Sequence, residues 1–94
     1  MDTVIVKKNR YVDSVSLMSV GDRIKRLGGI QAAEVQMATP ANCELLETLG
    51  FVLTDSVTAN DLVIAVRADE EEKCREAVQL AQDILDHKSG ADTG

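Results

Sequence analysis

Leu62-Val63-Ile64-Ala65-Val66 is apolar at every position. Side chains of a strand alternate between two faces, so an unbroken apolar run implies that both faces are covered. That condition describes a central strand in a parallel or mixed sheet. Downstream, Asp69 offers an N-cap, with Glu72 three residues on in a capping-box-like spacing. Cys74, Ala77, Val78, Ala81, Ile84 and Leu85 then recur at helical spacing as far as His87-Lys88. Glu71 and Arg75 stand at i, i+4 on that helix. Residues 89–94 (Ser-Gly-Ala-Asp-Thr-Gly) are linker-like, which bounds an α/β domain at 1–88 with a flexible tail or linker over 89–94.

Upstream, Phe51-Val52-Leu53 reads as a short strand or core filler, and Thr54 to Asn60 as a loop. A short helix is predicted over 41–49, with Ala41, Leu45 and Leu49 on one face, Leu46 beside them and Gly50 as its stop. Glu34-Val35-Gln36-Met37 alternates polar and apolar and belongs to a strand over about 31–38. Thr39 caps the following helix, and Pro40 fits its first position because it has no N–H to leave unpaired. Thr3-Val4-Ile5-Val6 opens a first strand over 3–8. A helix over 15–27 follows the Asp13-Ser14 cap, with Leu17, Val20, Ile24 and Leu27 as its stripe and Val15 and Met18 widening it. Gly28-Gly29 ends it. The order is β-α-β-α-β-α, and two crossovers predict a three- to four-stranded, mostly parallel sheet with right-handed connections.

The balance of charge restricts the function. The chain has 94 residues and a net charge of −6. Residues 1–27 hold six basic against three acidic side chains, while 28–94 hold four against thirteen. That balance argues against DNA, and two aromatic residues, Tyr11 and Phe51, argue against a base-stacking single-strand binder. The basic N-terminal third suits a phosphate or an acidic partner surface, or simply a solvated face. Cys43 and Cys74 lie thirty-one positions apart in no ligand or redox motif, which fits a reducing cytoplasm. No run approaches the ~20 apolar residues of a membrane span, and the N-terminus lacks a signal-peptide pattern. A cytoplasmic protein is expected.

No catalytic set is visible. The chain has one histidine, His87, at a helix end, and it has no nucleophile elbow, Walker loop or dinucleotide fingerprint. Cys43 sits in a first helical turn, where the dipole can activate a thiol, but a free Cys is usually a small core hydrophobe. The carboxylates from Asp69 to Glu72 suit the start of a helix dipole better than a metal. What remains are the polar helix entrances: Ser14 and Ser16 after the first strand, Thr39 and Asn42 after the second, and Asn60 before the apolar strand. A helix start presents free N–H groups to an anion or a carboxamide, and in open α/β layers ligands sit beyond strand ends. Every helix also needs its first amides satisfied, so plain capping accounts for the same residues.

Three segments, in matching order and spacing over residues 4–67, resemble the N-terminal region of FdrA-type proteins of the acyl-CoA synthetase superfamily. They are Val4-Ile5-Val6-Lys7-Lys8 with Tyr11-Val12-Asp13-Ser14-Val15-Ser16-Leu17-Met18, Val35 to Asn42 continuing through Leu45-Leu46-Glu47-Thr48-Leu49-Gly50-Phe51, and Asn60-Asp61 with Leu62 to Arg67. Members of that family are much longer, with a Rossmann-type CoA-binding domain and a ligase domain like that of succinyl-CoA synthetase behind this region. Some are associated with allantoin and purine catabolism as part of an oxamate carbamoyltransferase. The resemblance implies that this chain stops where the CoA-binding domain would begin, so CoA or ATP would be reached only through partner domains. It assigns no catalytic residue here, and His87 matches no phosphohistidine motif.

The expectation is therefore a non-catalytic binding or assembly module with no cofactor of its own. It would present Ser14, Ser16, Thr39, Asn42 and Asn60 to a small anionic or amide ligand, or to a CoA-ligase-type partner. One alternative is a small acyl or carbamoyl transfer enzyme using Cys43 or an oxyanion-type site. Another is a homodimerisation domain with Val4, Val6, Val35 and Met37 on an exposed sheet face.

Overall fold

A computed structural model describes residues 1–53 and 56–93, of which 87–93 are described as helix backbone only. Six elements follow in the order β1 (Asp2–Lys7), α1 (Ser14–Lys25), β2 (Ile30–Met37), α2 (Pro40–Thr48), β3 (Leu62–Ala68) and α3 (Glu71–Thr93). The alternation expected of the chain is present. The side chain of His87, residues 54 and 55 of the predicted loop, and the side chains of 89–94 lie outside what is described.

The mostly parallel sheet is not. The strand order is β1-β3-β2, and β3 pairs antiparallel with both neighbours. Ile64 sits opposite Ile5 on one side and Val35 on the other. The first crossover behaves as predicted, since β1 and β2 run the same way, but it leaves a slot between them, and β3 fills it. This is a split β-α-β arrangement. The second connection is no crossover. Helix α2 carries the chain out beneath the sheet as far as Phe51, which lies under Arg67 near the end of β3. The connection then returns to Thr58 and Asp61, so β3 starts at the sheet end where β2 finished. A helix-to-strand connection in a true crossover is typically only two to six residues long, and this one has room to run back.

Gly50 makes the reversal. It adopts φ +95, outside the range that other residues hold easily. Its N–H donates to Glu47 O and that of Phe51 to Leu46 O, both at 3.0 Å, the paired bonds of a Schellman ending. Leu46 and Phe51, the residues this ending brings together, are both buried. Leu46 is therefore the core residue of α2, whereas Ala41, Leu45 and Leu49, the predicted face, are exposed. Phe51 to Leu53 forms no strand.

Two layers cover the sheet. On one face Leu62, Ile64, Val66, Ala33, Val35 and Met37 pack with Val20 and Ile24 of α1 and the Cys74–Leu85 stripe of α3. On the other, Val63 and Ala65 pack with Leu46, Phe51 and Ala38, with Val4 and Val6 against them. The fully apolar run is buried on both faces, as its composition requires. Val4 and Val6, half-buried, thus lie on the opposite face from Val35 and Met37, so the four residues named for dimerisation do not share one sheet face. Val15 and Met18 do not join the α1 stripe; they are 75% and 70% exposed. Asp69 does not act as the expected side-chain cap of α3: the helix begins at Glu71, with Glu70 O accepting from Cys74 N at 3.2 Å, and the Asp69 carboxylate accepts from Gln31 instead.

Candidate functional site

β1 and β2 end, and β3 begins, at one end of the sheet, so all five sequence-predicted site residues gather there. Asn60 joins the others because β3 is antiparallel; a parallel β3 would have started at the far end. Each helix entrance is capped from within. Asp13, extended at φ −70 and ψ 158, accepts from Ser16 N at 3.1 Å and from Ser16 Oγ at 2.8 Å. Thr39 Oγ1 accepts from Asn42 N at 3.3 Å, with Pro40 following it in the first turn. Asn42 Nδ2 donates to Met37 O at 2.9 Å, locking the end of β2 to the start of α2. Asn42 Oδ1 has no protein donor among the described residues.

Ser14, Thr39 and Asn42 line one open groove of about 470 Å³ between α1 and β2. Tyr11 and Val12 close it near the cap, and Gly21 and Lys25 lie further along α1. Its β2 wall is continuous from Ala33 to Met37. Consecutive strand residues point to opposite faces, so a wall of five in a row is the free edge of the strand rather than one of its faces. Ser16 is outside the groove, held by Asp13. Asn60 is also outside it, exposed in the turn before β3, where its N–H donates to Thr58 Oγ1 at 3.4 Å.

Asp61 organises this end of the molecule. It is the one charged residue with a buried side chain among those described, at 2% exposure. Its carboxylate accepts from Asn9 N and Thr58 N, both at 2.9 Å, and from Lys8 Nζ at 3.2 Å. Its own carbonyl accepts from Ala38 N at 2.8 Å. The end of β1, the end of β2 and the loop before β3 are thus tied to one residue. The two backbone donors, with Lys8 adding to them, hold the Asp61 carboxyl below the usual carboxylate range against the opposing effect of burial. Sequence reasoning singled out its neighbour Asn60. The available signal was an aspartate placed directly before an apolar strand, where an unpaired charge would be costly.

Cys43 is half-buried against the α2-side core, and Cys74 is buried on the sheet-facing side of α3. The sheet separates them.

The full chain, residues 1–94, matches the family described as "AllF, heavy metal-associated domain". The chain belongs to that family. The uncharacterized protein YahF of Escherichia coli (strain K12) is 37% identical over 83 residues, covering 82% of this domain and 16% of YahF. The domain therefore spans about a sixth of that relative's length. No solved structure matches it. The donors among the described residues do not form a site for the metal in the family's description. Among the described residues no three His, Cys, Asp or Glu side chains converge, and the two thiols lie on opposite sides of the sheet. Nor is any helix of the described residues long and apolar enough to cross a membrane.

Proposed function

We propose that the domain is a non-catalytic binding and assembly module of an FdrA-like acyl-CoA synthetase or carbamoyltransferase system. The observation that carries this reading is the α1–β2 groove. It lies within the size range of small-molecule and peptide sites, and its upper end offers Ser14, Thr39 and the unclaimed carbonyl of Asn42. Those groups suit an amide or a small anion, or polar groups of a partner domain. YahF, which extends far beyond the matched region, supports a role within a larger protein. Two observations count against catalysis by Cys43: it lies away from the groove, and it packs into a core cluster.

The test is an amide-shift titration of the ¹⁵N-labelled chain with CoA, acyl-CoAs, ATP, carbamoyl phosphate, oxamate and the purified remainder of YahF. At least one of them should shift Ser14, Thr39 and Asn42 without being turned over. Ser14→Ala is the cleaner variant, because the Ser14 side chain makes no hydrogen bond among the described residues, whereas Asn42→Ala also frees Met37 O. Both should weaken binding about five- to tenfold, the worth of one hydrogen bond, while unfolding stays cooperative. Normal binding by both variants would reduce these residues to caps.

A further inference from the structure

We infer that the free edge of β2 pairs antiparallel with the same edge of a second copy of the chain, about a two-fold axis at Val35. The inference rests on the reading of the α1–β2 groove as a contact surface and names the occupant of its strand wall. β2 pairs with β3 alone, so its other side is open. Ala38 N donates to Asp61 O at the end of the β2–β3 register, and main-chain groups alternate in direction along a strand. Glu34 and Gln36 therefore turn their N–H and C=O groups toward β3, whereas Ala33, Val35 and Met37 turn theirs into the groove. Asn42 takes Met37 O. The N–H and C=O of Ala33 and Val35 and the N–H of Met37 have no hydrogen-bond partner among the described residues. These three residues are only 2%, 5% and 8% exposed. Main-chain groups left unpaired where so little water reaches them are costly, and an added strand would satisfy them.

The side chains select a second copy over a foreign strand. With the axis at Val35, Val35 faces Val35 of the second copy and Ala33 faces its Met37, so the exchanged bonds reach every unpaired group. Glu34 then faces Gln36 of the second copy. The Gln36 amide donates to Glu34 of its own strand at 2.9 Å, and it can donate across the pair instead. Moving the axis to Glu34 would set two carboxylates opposite each other, and moving it to Gln36 would carry Ala33 past the end of the partner strand. Nearer Ile30 a register shift interrupts the strand. β2 has neither Lys nor Pro, residues that commonly guard an open edge, whereas β1, the other edge, ends in Lys7. The same axis turns the groove-facing side of α1, with Ser14, Met18, Gly21 and Lys25, toward its counterpart. A Cβ added at Gly21 would meet nothing within 4 Å, which leaves room for that approach. Tyr11 and Met18, 78% and 70% exposed along the groove, would be covered by it.

Sedimentation of the chain from micromolar to millimolar concentration should show a concentration-dependent dimer. Isotope-filtered contacts between labelled and unlabelled copies should join Val35 to Val35 and Ala33 to Met37, and amide exchange at Ala33 and Val35 should slow as the dimer forms. Gln36→Glu should weaken the dimer about tenfold, because it sets two carboxylate pairs face to face. Glu34→Lys/Gln36→Glu should restore it. A chain that stays monomeric at millimolar concentration overturns the inference. So do a dimer joined through β1 or through α1 alone, a Gln36→Glu dimer as tight as the original, and a double variant that does not recover. A monomer whose Ser14, Thr39 and Asn42 amides shift with oxamate or another of the titrated compounds would overturn it while leaving the proposed function standing. A β2-edge dimer indifferent to every titrated compound and to the remainder of YahF would do the reverse.

Discussion

Asp61 concentrates the residue-scale argument, since one carboxylate joins three chain segments. Its folded pKa lies below its unfolded value, so its contribution to stability is present above about pH 4, the unfolded carboxylate range. That contribution is lost as pH falls through the folded pKa. Asp61→Asn should therefore lower the unfolding midpoint at neutral pH and flatten its decline in acid, measured by thermal melts across pH. Equal acid sensitivity in the variant would remove Asp61 from that role. Gly50 is the second informative residue. A Cβ there would need φ +95 and would lie 2.9 Å from Arg67 Nη2, which is itself held by Asp2. Gly50→Ala should cost about 1–2 kcal/mol in urea unfolding, the scale of a left-handed conformation forced on a side chain.

At the scale of elements, the caps were legible in the sequence because capping is local chemistry. Asp13 and Thr39 act where their residue types placed them, and Thr39→Ala should destabilise by about 1 kcal/mol in denaturant titration. The α3 stripe and the doubly buried β3 were legible for the same reason, as each follows from a period within one segment. The direction of β3 was not. It depends on where the chain goes between Leu49 and Leu62, and nothing periodic marks a segment that leaves and returns. The buried side of α2 was misjudged by one position for a related reason. Leu46 is fixed by its contact with Phe51 across the Gly50 turn, a tertiary fact that outranks the helix's own pattern. Phe51→Ala should confirm that ranking with a loss of about 3–5 kcal/mol, whereas Leu45→Ala on the exposed side should cost far less.

Considered as a whole molecule, the domain spends its sheet on stability and leaves α1 and the edge of β2 for contact. The candidate site was partly legible. Ser14, Thr39 and Asn42 were marked by their helix entrances, and the fold brings them to one groove. Ser16 was marked by the same logic but is engaged by Asp13, and which of two neighbouring serines faces a groove depends on how α1 packs on β2. The exposure of Val15 and Met18 was invisible because a wide apolar stripe looks the same whether the sheet covers it or not. The central claim is that the α1–β2 groove is where this domain binds. The most direct test is the amide-shift titration with the small-molecule panel and the purified remainder of YahF. The prediction is a saturable shift confined to Ser14, Thr39, Asn42 and the β2 edge, weakened in Ser14→Ala without loss of cooperative folding. No shift at those residues with any probe, or turnover of a substrate by the chain alone, would contradict it.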